Sequence, residues 1–449
     1  MKTLFLLLCL LLPAVAPAAD PPPPIEDPLN ANADYGWFLQ NRFGLFIHFG
    51  LYSAGARHEW VMNHENMTDQ EYRRYFEHFD PDHFDAKAWA RMAKQAGMKY
   101  VVLTAKHHEG FANWDTRQTD FKVTNTPFHR DVVRETVDAF RAEGIKIGFY
   151  YSLLDWHHPD FPVDGLHPMR DNEAFRKANA GRDIKKYAAF VRAQITELLS
   201  NYGTIDYLWF DFSYGSRDWG WSKGKGAKEW ESEELIELVH KLQPKILVNN
   251  RLGLPGGVET PEQRPPGKQS GPLKLVEECN TLNGSWGYDR DNLNWKTPEM
   301  LVRLLIESVS KGANLLLNIG PTARGEFDPK ARDALNQIGG WTYANGRSIY
   351  GAGPSNYTPP NGVLYTQHGD RLYAHLLTYP IGTLELPGLA GKVTYAQFLH
   401  DASEVEIQEG GKNRKSNRNE PVGDGSVRLK LPAVRPNQLV PVIELFIKP

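Results

Sequence analysis

The stretch Tyr207–Phe212, YLWFDF, ends an apolar run with a single carboxylate, Asp211. Burying a carboxylate there is costly unless a function retains it, although a loop or helix-capping aspartate is the plain alternative. Glu277 and Glu278 follow in LVEECNT, and strand alternation lets at most one of two neighbours point into a shared site. Two carboxylates facing each other across a cleft can cleave a glycoside. One attacks the anomeric carbon while the other protonates the leaving oxygen and then activates water.

His107 and His108 close the run YVVLTAK, and His48 closes FGLFI. Zinc-dependent barrel hydrolases place two histidines in alternation on the first strand, a pattern missing from this chain. Neutral imidazoles that donate to and accept from sugar hydroxyls are the favoured reading. A packed core histidine remains open for one of the pair. Glu59 and Trp60 follow the first run, Tyr150 and Tyr151 end a third, and Arg251 follows Asn249-Asn250.

Seven strand-like apolar runs carry these residues, at 43–49, 100–105, 146–152, 206–212, 245–250, 275–281 and 314–320. Between them lie helical stripes such as Ile184, Tyr187, Val191, Ile195 and Leu198. Continuous apolar strands alternating with helices predict a parallel sheet covered on both faces. Seven or more such units favour a (β/α)8-like barrel, with the chemistry at the carboxyl ends of the strands. No GxGxxG turn supports an open dinucleotide-binding sheet.

From about residue 355 the helices stop, and short alternating runs predict a C-terminal antiparallel β-sandwich. The expected division is a signal peptide over 1–19, a catalytic barrel over 20–350 and a β-sandwich over 355–449. Residues 213–230 and 252–274 read as long loops able to wall a cleft, and 409–425 as a polar loop.

The first 19 residues have one Lys, a leucine-rich core and a small-residue exit, which predicts export and no membrane association after cleavage. Of two cysteines, Cys9 would leave with the signal, so Cys279 has no intramolecular partner for a disulfide. A net charge of −3 without a basic run argues against nucleic acid as partner. Aromatics at 12 % suit stacking on sugars.

Taken together, RFGLFIHFGLYS, EW, AKHHEGF, GFYYSLLDW, LWFDF, NNRLG, TPEQ, SWGY and GANLLLNIGPTARG resemble, in order, blocks of the α-L-fucosidases of glycoside hydrolase family 29. The resemblance covers nearly the whole mature chain and points to the broader-specificity branch. It implies a barrel followed by a β-sandwich, and a retaining exo-glycosidase acting on fucosylated oligosaccharides or glycoconjugates. It further implies Asp211 as nucleophile and Glu277 as acid/base, from a block in which Val276 replaces the usual tryptophan. The fucose pocket it implies consists of His48, Glu59, Trp60, His107, His108, Tyr151, Arg251 and Trp286. No cofactor or metal is expected, and the compartment would be periplasmic, extracellular or, in a eukaryote, lysosome-like. The alternatives are a metal-dependent hydrolase using His48, His107 and His108, an α-L-galactosidase on the same scaffold, or a carbohydrate-binding protein without catalysis.

Overall fold

The structure is a computed structural model describing residues 24–267, 271–409, 422–423 and 425–448. The expected signal segment and most of the polar stretch 409–425 lie outside the described residues. Each of the seven apolar runs forms a strand: β1 Phe43–Ile47, β2 Tyr100–Lys106, β3 Lys146–Ser152, β4 Tyr207–Asp211, β5 Leu247–Val248, β6 Glu277–Thr281 and β7 Asn314–Ile319. They pair in parallel in the order β5-β4-β3-β2-β1-β7-β6.

The curled sheet is bridged between its two edges by residues 258–263, part of the stretch 252–274 that the sequence predicts as loop. Val258 N donates to Val248 O at 3.0 Å, and Asn250 N returns a bond to Val258 O at 3.0 Å. On the far side Glu277 N donates to Glu259 O at 2.8 Å and Cys279 N to Pro261 O at 3.0 Å. This segment is an eighth, irregular stave of a (β/α)8-like barrel. Its prolines and polar residues hide it from any test of apolar periodicity.

Alternation along the staves sorts the side chains. Phe46, Tyr100, Tyr150, Tyr207, Trp209 and Leu316 fill the interior, while Leu45, Ile47, Val101, Phe149 and Leu208 pack outward against helices. Those helices start where the sequence caps them. Asp131 accepts from Arg134 N, and Thr297 accepts from Met300 N just ahead of Pro298.

Two antiparallel sheets follow. One has the order β11-β14-β9-β8, from Val393–Phe398, Val442–Ile447, Arg371–Leu376 and Val363–His368. The other has the order β10-β13-β12, from Thr383–Pro387, Ser426–Lys430 and Glu406–Glu409. Leu386, Val427 and Leu429 meet Ala374, Ile443 and Leu445 between them, as in a β-sandwich. Strands β10 and β12 are short and polar, and sequence periodicity did not reveal them. Trp341 Nε1, on a barrel helix, donates to Val440 O at 2.7 Å and ties the two parts together. Among the described residues no helix is long and apolar enough to cross a membrane.

Candidate active site

A cavity of about 900 Å³ opens at the carboxyl ends of the barrel strands. Asp211, the last residue of β4, lines it. Tyr150 Oη donates to Asp211 Oδ2 at 2.7 Å, and Arg251 Nη1 donates to Asp211 Oδ1 at 2.7 Å. The next residue, Phe212, has φ +74°, a left-handed backbone rare for a bulky side chain, as the chain turns away at the strand end. Nη2 of the same guanidinium pairs with Glu262, which lies on the eighth stave and also lines the cavity. Thr260 fixes Arg251 further, accepting Nε at 2.9 Å and Nη2 at 3.0 Å. Burial and the nearby Asp211 charge raise the Glu262 pKa above the ordinary carboxylate range, against the lowering effect of Arg251.

His48, His107 and His108 all line the cavity. Their adjacency is no obstacle for the pair, because β2 ends at Lys106 and the two rings stand in a turn closed by Gly110 N to His107 O. Gly110 is needed there. Its φ is +83°, and a Cβ would lie 2.3 Å from Asp155 Oδ1.

Neighbouring groups set the tautomers. Asn318 Nδ2 donates to Trp286 O at 2.6 Å, so its Oδ1 faces His48 Nδ1 at 2.6 Å and must accept from it. Ser152 Oγ donates to Leu154 O at 2.8 Å and therefore accepts from His108 Nδ1 at 2.6 Å. Each imidazole is left with Nε2 as an acceptor. Burial, helped by the His107 ring, lowers the pKa of both and keeps them neutral.

Trp60 and Trp286 also line the cavity. Glu59 Oε2 accepts from Trp286 N at 3.1 Å and Gly287 N at 2.8 Å, so this buried carboxylate clamps the turn that places Trp286 5.4 Å from the His48 ring. The loop after Asp211 supplies Phe212, Ser213, Tyr214 and Arg217 to the wall. Tyr214 Oη donates to Asp164 Oδ2, which also pairs with the buried Lys225, pinning that wall to the loop after β3.

Two expected site residues do not reach the cavity. Tyr151 points outward, donating to Gln194 Oε1 at 2.7 Å beneath the helix Ile184–Asn201. Its neighbour Tyr150 is the tyrosine inside, because β3 pairs Tyr150 with Trp209 and places both on the inner face. Glu277 does face inward, but it is fully buried below the cavity floor. It accepts from Tyr100 Oη at 2.5 Å, Tyr207 Oη at 3.1 Å and Trp209 Nε1 at 3.2 Å. Burial raises its pKa to about 7 against the lowering effect of those three donors. Glu278 points out to Ser308 Oγ at 2.7 Å. Among the described residues three carboxylates line the cavity, Glu59, Asp211 and Glu262. Glu59 is engaged by the backbone of Trp286 and Gly287, which leaves Glu262, within TPEQ and given no role from sequence, as the partner of Asp211.

The three histidines form no metal cage, and among the described residues no group of three or more His, Cys, Asp or Glu does.

Comparison with known proteins agrees with this architecture. The α-L-fucosidase family model matches residues 15–347. The human tissue α-L-fucosidase is 31% identical over 378 residues, covering 77% of this chain and 76% of its own. Isoenzyme 1 of the α-L-fucosidase from Paenibacillus thiaminolyticus superposes with a TM-score of 0.85 at 44% identity, covering 92% of this chain and 99% of that one. A Bacteroides thetaiotaomicron fucosidase of family 29, trapped as a covalent intermediate with 2-fluoro-fucosyl fluoride, superposes with a TM-score of 0.76 at 26% identity, covering 92% and 95%. On the strength of a family model spanning the barrel and relatives matched over most of their length, the chain belongs to the α-L-fucosidases, glycoside hydrolase family 29.

Proposed function

We propose that Asp211 is the nucleophile and Glu262 the acid/base in the release of terminal α-L-fucosyl residues from glycans or glycoconjugates. An Asp211 oxygen bonds to the anomeric carbon as the glycosidic C–O bond breaks, and the proton of Glu262 passes to the departing oxygen. Glu262, now a carboxylate, takes a proton from water. The water oxygen then bonds to the anomeric carbon and displaces Asp211, so that two inversions give retention. The observation that carries this reading is the single Arg251 guanidinium holding both carboxylates. A bridge one guanidinium wide suits the separation of about 5–5.5 Å that a retaining pair needs. Nε2 of His48 and of His108 accept ring hydroxyls, and Trp60 and Trp286 offer apolar faces to the sugar.

The leucine-rich leader supports export of the chain to a periplasm or beyond the cell. Catalysis belongs to residues 20–350, with 355–449 as a supporting β-sandwich.

The test is azide rescue. Asp211→Ala should be inactive on an aryl α-L-fucoside and yield the inverted fucosyl azide when azide is added. Glu262→Ala should keep activity only toward activated leaving groups and yield the retained azide. Full activity of Glu262→Ala on an unactivated fucoside would sink its assignment.

A further inference from the structure

The buried Glu277 lies too deep to exchange protons with a substrate, yet three side chains direct their donors at it. Its Oε1 accepts from Trp209 Nε1 and from Tyr207, and its Oε2 from Tyr100. Trp209 is the only one of the three donors that also borders the cavity. Its ring packs 5.3 Å from Phe46, lies 4.3 Å below the Arg251 guanidinium and stacks on Tyr150 at 5.6 Å with 25° between the planes. Arg251 and Tyr150 are the two side chains that hold Asp211.

We propose that Glu277 is a positioning residue: by fixing the indole of Trp209 it holds Arg251 and Tyr150 in register with the reacting carboxylates. An indole rotates about two torsions and presents one N–H, so a single buried acceptor is enough to fix its plane. Drawing the N–H toward a carboxylate also makes the ring face richer in electrons, which strengthens its hold on a guanidinium. The inference rests on the roles given above to Asp211 and Glu262, and it gives a role to a carboxylate buried in a mainly aromatic and aliphatic interior.

The experiment compares Glu277→Gln, Trp209→Phe and the double variant with Glu262→Ala on aryl fucosides of graded leaving-group ability. Competent sites are counted by titration with 2-fluoro-fucosyl fluoride, and folding is checked by circular dichroism. Glutamine keeps the shape but weakens the acceptor. Per titrated site, assayed above pH 7 where Glu277 is ionised, kcat of Glu277→Gln should fall about 10–100-fold, the loss expected for a charged hydrogen bond. The fall should be equal for every leaving group, with KM little changed. Trp209→Phe should fall comparably and the double variant no further, since both remove the same contact.

Wild-type kcat in Glu277→Gln or in Trp209→Phe overturns the proposal, as does full additivity. The Trp209 variant carries the test if Glu277→Gln does not fold. A loss in Glu277→Gln confined to poor leaving groups and rescued by azide would instead make Glu277 the acid/base. The parallel Glu262→Ala series identifies that outcome separately.

Discussion

Tyr150 and Asp211, on neighbouring strands, are joined by a 2.7 Å hydrogen bond that Tyr151, one residue further along, is turned away from making. Tyr150→Phe removes a donor from the carboxylate that must leave in the second chemical step. Its kcat should fall about 10–100-fold, as for loss of a hydrogen bond to a charged group. Tyr151→Phe should keep wild-type kcat and reveal itself only in thermal stability. Steady-state kinetics of the two variants side by side decide which face of β3 serves the site.

The pH profile should carry the signature of Glu262. The group must be protonated to act as acid, and its pKa is raised, so the protonated form persists above the ordinary carboxylate range. The kcat/KM of the wild type should therefore decline only as pH climbs through that raised value. Glu262→Gln, assayed on a fucosyl fluoride, should lack this alkaline limb.

Glu277 links pH to stability. Its pKa rises from 4.5 to about 7 on folding, so the folded chain binds the proton more tightly than the unfolded one. The stabilisation is complete below about 4.5 and disappears as pH rises toward 7. Its total is about 3 kcal/mol. Melting curves of wild type and Glu277→Gln across this range should show the difference between them shifting in favour of glutamine as pH rises.

Lys106 and Asp155 form a fully buried ion pair at 2.9 Å, with Tyr187 Oη accepting from the same ammonium at 3.0 Å. Asp155 also accepts from the backbone of His157 and His158, so the pair anchors the loop after β3. Lys106→Met strands a buried carboxylate and should cost about 3–5 kcal/mol in chemical denaturation. The double variant Lys106→Met/Asp155→Asn, which removes the stranded charge but keeps an acceptor for the His157 and His158 N–H groups, should regain much of that loss.

The sequence by itself marked the seven parallel strands and many of the polar and aromatic residues around the cavity. Continuous apolar runs are the physical mark of a strand buried on both faces, and a polar side chain ending such a run must stand at the rim. Asp211, His48, His107, His108 and Arg251 were legible on that ground, because position along a strand needs no knowledge of its neighbours. Trp60 came instead from the loop after the first strand and the family resemblance. Which of two adjacent residues faces inward is another matter, since local sequence does not record the pairing register. The register of β3 against β4 selected Tyr150 over Tyr151.

The same limit governs depth. Glu277 does face inward, but it begins β6 and so lies beneath the cavity floor, behind Trp209. Glu262 was hidden for the opposite reason, on a stave with neither apolar period nor regular pairing, recognisable only by the edges it bridges. The chain therefore announced what kinds of groups meet at the site. The meeting of Asp211 and Glu262 on one guanidinium was decided by closure of the barrel, because only closure brings the eighth stave beside the strands that flank it.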